Sequence, residues 1–170
     1  MNIHQSNTIA KIDVEKKILI EYEIPTRNVD WGGISNPLQF DIDNQGNIWF
    51  TEWTENKIAM LDTKKPLEFD IESSTREIVI DNNKVGEMIL MIEPKKQLDA
   101  EIKITGTFTK NGLIKNVSIT FEQIENEFDV KKEIPILVKS DNLTKGTYTI
   151  MVSVESGEIT QSIPIRLVMR

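Results

Sequence analysis

Seven residues, Asn7-Thr8-Ile9-Ala10-Lys11-Ile12-Asp13, return in altered form as Asn56-Lys57-Ile58-Ala59-Met60-Leu61-Asp62, 49 positions further on. A second echo, Glu21-Tyr22-Glu23-Ile24 against Glu68-Phe69-Asp70-Ile71, lies 47 positions apart. A period of this size means one supersecondary unit used more than once, each copy burying an apolar face against its neighbour. The unit is made of strands. PLQFDID (37–43), NIWFTE (47–52), NKIAMLD (56–62) and PLEFDI (66–71) are short alternating runs separated by turn residues. Four strands in about 45 residues make the blade of a β-propeller. Residues 37–72 then form one full blade, and roughly 1–24 form the last strands of another.

The same stretch carries a competing signal. Residues 41–52, DIDNQGNIWFTE, fit the calcium-loop template D-x-[DN]-x-[DN]-G-x5-E everywhere except at Gln45. On that reading Asp41, Asp43 and Glu52 are ligands for Ca²⁺. An EF-hand needs a helix on each side of its loop. The preceding GGISNPLQF contains Gly and Pro, and the following residues continue the strand pattern. A hairpin is expected instead, with Gly46 taking the positive φ of its turn.

After Ser73-Ser74-Thr75 the repeat stops. Seven further strands are expected, at 76–81, 87–93, 100–109, 116–123, 133–139, 146–155 and 159–169, with turns such as Lys110-Asn111-Gly112 and Ser156-Gly157-Glu158. Ile102 and Ile104, and Ile150, Val152 and Val154, fall on one face each. Seven short strands of this kind argue for a β-sandwich. Leu143-Thr144-Lys145-Gly146-Thr147-Tyr148 resembles the L-x-x-G-x-Y of immunoglobulin-like and fibronectin type III-like domains, where the tyrosine hydroxyl bonds back to upstream backbone. The fold class expected is all-β: a partial propeller over 1–74 and an immunoglobulin-like sandwich over 75–170.

Charge and composition narrow the partners. Residues 1–75 hold 7 Lys+Arg against 13 Asp+Glu. Without a basic stripe, counterion release has nothing to act on, and nucleic acid is not an expected partner. There is no cysteine, which excludes disulfides and thiolate metal sites. No apolar run approaches the 18 residues of a membrane-spanning helix. The polar MNIHQSNTIAKID has no signal-peptide core. Asn116-Val117-Ser118 and Asn142-Leu143-Thr144 match the N-glycosylation pattern and agree with an extracytoplasmic or cell-surface setting.

Ile48-Trp49-Phe50-Thr51-Glu52-Trp53, followed by Asn56-Lys57-Ile58, resembles the blade signature of the streptogramin B (virginiamycin B) lyases and related propellers. Glu21-Tyr22-Glu23-Ile24-Pro25 resembles the outer strand that closes each blade in that group. The resemblance covers about residues 1–72. It implies a C–O lyase that opens a cyclic depsipeptide by elimination, with Mg²⁺ to stabilise the developing negative charge and a histidine base. The family's carboxylate and histidine positions are occupied here by Asn36 and Leu38, and only Glu52 keeps its type. A leucine abstracts no proton. The sole histidine, His4, aligns with Trp53 and precedes no suitable glutamate.

The expected function is therefore a non-catalytic binding or structural module, part of a larger extracytoplasmic propeller protein. Its binding face is expected at Trp31, Glu52 and Trp53, its partner a protein or glycan, with a homo-oligomer as one way to complete open blade edges. The alternative is a segment of a Mg²⁺-dependent lyase whose site lies in other blades, with Glu52 as a metal ligand.

Overall fold

Wherever apolar and polar residues alternate, the chain is extended. The computed structural model describes residues 1–3, 7–81, 85–98, 102–110, 113–115, 119–121, 130–139 and 143–170. The first repeat region holds β1 (Asn2–Ile3), β2 (Thr8–Asp13) and β3 (Ile18–Glu23); the second holds β4 (Pro37–Ile42), β5 (Ile48–Glu52), β6 (Lys57–Leu61) and β7 (Phe69–Ser73). Then follow β8 (Glu77–Ile80), β9 (Val85–Pro94), β10 (Ile102–Lys110), β11 (Leu113–Lys115), β12 (Ile119–Phe121), β13 (Lys132–Lys139), β14 (Gly146–Ser156) and β15 (Ile159–Met169). Short 3-10 turns cover Val29–Trp31 and Trp53–Glu55, and the described residues contain no α-helix. The protein is all-β. His4, Asn111, Gly112, the triplet 116–118 and Asn142 lie outside the described residues.

Three sheets form. The large one runs β1-β2-β3-β15-β14-β10-β11, with β8 parallel to the second half of β15. The second runs β12-β13-β9-β7, and the third contains only β4-β5-β6. Each expected strand is present, but two take unexpected partners. β3 pairs with β15, Tyr22 opposite Ile159 and Leu19 opposite Ser162. β7, expected to close the blade beside β6, pairs instead with β9 from Phe69↔Pro94 to Ser73↔Leu90. Hydrogen-bonded ladders thus cross the boundary expected at 74/75 twice. The physical reason lies in β7 itself: Phe69 and Ile71 are fully buried against the larger core, a cover that short, exposed β6 does not supply.

That core fills the space between the large and second sheets. Ile18, Ile20, Ile150, Val152, Val154, Ile163 and Ile165 face Phe69, Ile71, Leu90, Ile92, Ile134 and Ile136. Gly86 allows a close approach between the sheets: an added Cβ there would stand 2.4 Å from Ile78 Cγ2 and 2.9 Å from Ile80 Cδ1. Gln161, buried in β15, reaches across and donates from Nε2 to the Phe69 carbonyl at 2.5 Å. Tyr148 is buried, and its hydroxyl donates to the Thr144 carbonyl at 2.7 Å, the upstream backbone bond anticipated for this motif. A smaller core, Ile9, Ile24, Ile48 and Phe50, joins the inner face of the three-stranded sheet to β2 and the end of β3.

Candidate functional site

The stretch 41–52 is a hairpin. β4 and β5 pair antiparallel from Ile42↔Ile48 to Pro37↔Glu52, with a bulge between Pro37 and Phe40. Its turn is organised by Asp43. Oδ1 accepts from the backbone N–H groups of Gln45 and Asn47, both at 2.9 Å. Oδ2 accepts from Asn47 Nδ2 at 2.9 Å and Trp49 Nε1 at 3.0 Å. These donors hold the carboxyl well below the usual aspartate range, at about 2, the Trp49 indole contributing most. Gly46 completes the turn at φ +87°. Both Asp43 oxygens are thus used as a brace for the turn. Asp41 pairs across the ladder with Trp49, and its Oδ1 accepts from the N–H of Ile42.

Trp31 and Trp53 come together. Both are 56% exposed, and their rings meet edge to face with centroids 5.6 Å apart. The pair rests on local turn chemistry: Asn28 caps the first 3-10 turn through Asp30 N–H, and its Nδ2 donates to the Thr54 carbonyl in the second at 3.0 Å. Such an exposed aromatic corner offers flat apolar surface to a ligand ring or side chain.

Glu52 does not join them. Alternation turns it inward at the end of β5, where it is 3% exposed. Among the described residues its Oε2 has no hydrogen-bond partner. Glu52 lines a cleft of about 600 Å³ between the three-stranded sheet and the β14–β15 turn. Ile24, Phe50, Leu61 and Leu67 supply apolar wall, and Ser156, whose buried Oγ is also unpartnered, lines the cleft too. Nothing in the local sequence around Ser156 signals this role, because the cleft joins residues more than 140 positions apart. Among the described residues no group of three or more His, Cys, Asp or Glu side chains is placed to hold a metal ion.

Asn7 is the second residue that its local sequence does not explain. It is fully buried at φ +57°, donates to the Ile24 carbonyl and accepts from both the N–H and hydroxyl of Ser35 at 2.7 Å. It thereby ties the first repeat to the segment leading into the second. Its repeat partner Asn56 has the same left-handed backbone, φ +52°, so the repeated asparagine marks a backbone requirement.

Compared with known proteins, the chain matches no family model and no curated protein.

Proposed function

We propose that this protein is a non-catalytic binding module, an incomplete propeller blade mounted on an immunoglobulin-like sandwich, and that it acts by docking a protein on the outer face of the three-stranded sheet. The observation that carries this is the exposure of that face. Trp49, Ile58 and Met60 are 43%, 73% and 48% exposed, with Leu38 at the bulge beside them. A contiguous apolar surface of this kind on a soluble protein is a contact surface. The edges of the sheet are the weaker draw: β4 starts on Pro37 and is bulged, and β6 starts on Lys57, devices that discourage strand addition.

The blade reading is supported by the repeat, by the hairpin at 41–52 and by the likeness of residues 48–58 to streptogramin-lyase propellers. The sandwich reading is supported by the Tyr148–Thr144 bond. In a repeat stack the outer face of one unit receives the inner face of the next. Here the inner face is already covered by Ile9 and Ile24, so the partner is a second copy of this chain that presents the same outer face. The same likeness, with the asparagine triplets, supports an extracytoplasmic setting.

Light scattering on a sizing column tests this. The expected result is a discrete oligomer above 19.5 kDa that becomes monomeric when Trp49→Glu and Ile58→Glu are combined. A monomer at every protein concentration, with Trp49 fluorescence independent of concentration, would overturn docking between copies.

A further inference from the structure

Two buried polar atoms without partners, Glu52 Oε2 and Ser156 Oγ, line the same cleft. Only one other such atom, Ser73 Oγ, exists among the described residues. Buried polar groups in native proteins are nearly always satisfied, so two orphans sharing one cavity point to a missing partner there. The charge around them says what kind. Glu23, Asp62, Glu68 and Glu158 line the cleft with Glu52, and among the described lining residues Lys65 is the single cation. Arg27 and Lys96 engage Glu23 and Glu68 from the rim, which leaves Glu52, Asp62 and Glu158 against Lys65. An adjoining depression continues the acidic surface through Glu21 and Glu155. Anions are excluded by this field and cations are drawn in.

The walls between the charges are apolar, which disfavours a small hydrated metal ion and suits a chain of methylenes. From the orphaned Glu52 and Ser156, the acidic rim and the apolar walls, we propose that the cleft binds an aliphatic chain bearing ammonium groups. The ammonium groups of the chain donate to Glu52 and to the hydroxyl oxygen of Ser156. Met60 borders both this cleft and the outer face of the three-stranded sheet, but Trp49 and Ile58 do not line the cleft, so the two sites are tested independently.

Isothermal titration of the full chain at low salt, followed also by methyl NMR of Ile24, Leu67 and Ile159, tests the proposal. The probes are 1,5-diaminopentane, the peptide acetyl-Lys-Gly-Lys-amide and, as an uncharged control, 1,5-pentanediol. Saturable binding of either cationic probe is expected, with methyl shifts confined to the cleft. Affinity should fall about tenfold or more in Glu52→Gln, because a charge-assisted hydrogen bond is lost. The free diamine binding as well as the peptide assigns the site to a small amine; the peptide binding at least about tenfold tighter assigns it to a lysine-bearing segment. Ala59→Phe, which fills the cleft and leaves Glu52 in place, should abolish binding with the circular dichroism spectrum unchanged, and it decides the matter should Glu52→Gln unfold. Absence of heat and of methyl shifts up to about 10 mM, equal binding of the diol, or undiminished binding by folded Glu52→Gln would each overturn it.

Discussion

Asn7 and Asp43 show how much a single short polar side chain organises in this chain. Asn7 holds a left-handed backbone and satisfies groups on two segments while fully buried. Asn7→Ala leaves the Ile24 carbonyl and the Ser35 hydroxyl without partners and places alanine in a strained conformation. The expected loss is about 2–4 kcal/mol of unfolding free energy in a urea titration. Asp43 acts through ionisation. Its folded pKa of about 2 lies below the ordinary 3.8, so its contribution is present above that ordinary value and disappears as pH falls from 3.8 towards 2. The group is exposed, so the effect is small. Asp43→Asn is expected to flatten the pH dependence of the urea midpoint in that window; an unchanged slope would show that the turn does not depend on the charge. The relevant residue types were readable at both positions. Aspartate at 43 was compatible with either a calcium ligand or a turn brace, and only the four donors around it decide between these.

At the level of elements, two prolines explain how strands with broken patterns still form ladders. Pro164 lies in β15 between the stretch paired with β3 (159–162) and the stretch paired with β8 (166–169). Pro135 lies in β13 just outside the β12 ladder, which covers 136–138. Among the described residues, each sits where one edge of its strand has no ladder partner, the place where a missing N–H is tolerated. Gly86 is the complementary device. It lets β9 approach Ile78 and Ile80 of β8, and Gly86→Ala should overpack that contact by about 1–3 kcal/mol, seen as a lowered melting temperature in circular dichroism. The strands themselves were legible because alternation is a local property. The partners of β3 and β7 were not, since alternation states which face is buried but not which neighbour supplies the ladder. A repeat implies that equivalent strands stay with their own unit. β7 departs from that rule because Phe69 and Ile71 gain deeper burial elsewhere.

For the whole molecule, the consequence is that the two halves read from sequence are not independent in hydrogen bonding. Residues 75–170 alone would lack Ile18, Ile20, Phe69 and Ile71, four buried side chains of the main core. At roughly 1.5–3 kcal/mol each, their loss is comparable with the whole stability of a domain. The fragment 75–170 is expected to be unfolded or readily cleaved in limited proteolysis, whereas residues 1–170 resist. A protease-resistant, cooperatively melting fragment would restore the boundary at 74/75. The candidate site has the same origin. Glu52 was readable as a polar residue at a strand end, but its cleft exists only once residues 23 and 158 are neighbours.

The ladder between β3 and β15 also sets a clock. Tyr22 waits for Ile159, 137 positions later, before its strand gains that neighbour. At ribosomal speeds that interval is on the order of ten seconds. Through it, the edge carrying Leu19 and Ile20 stays open to whatever strand is nearest, including the same edge on a neighbouring nascent chain. Loop closure over so many residues also makes folding slow once the whole chain is present. In a crowded cell, the yield of this protein then depends on how well that one edge is shielded while the rest is being made.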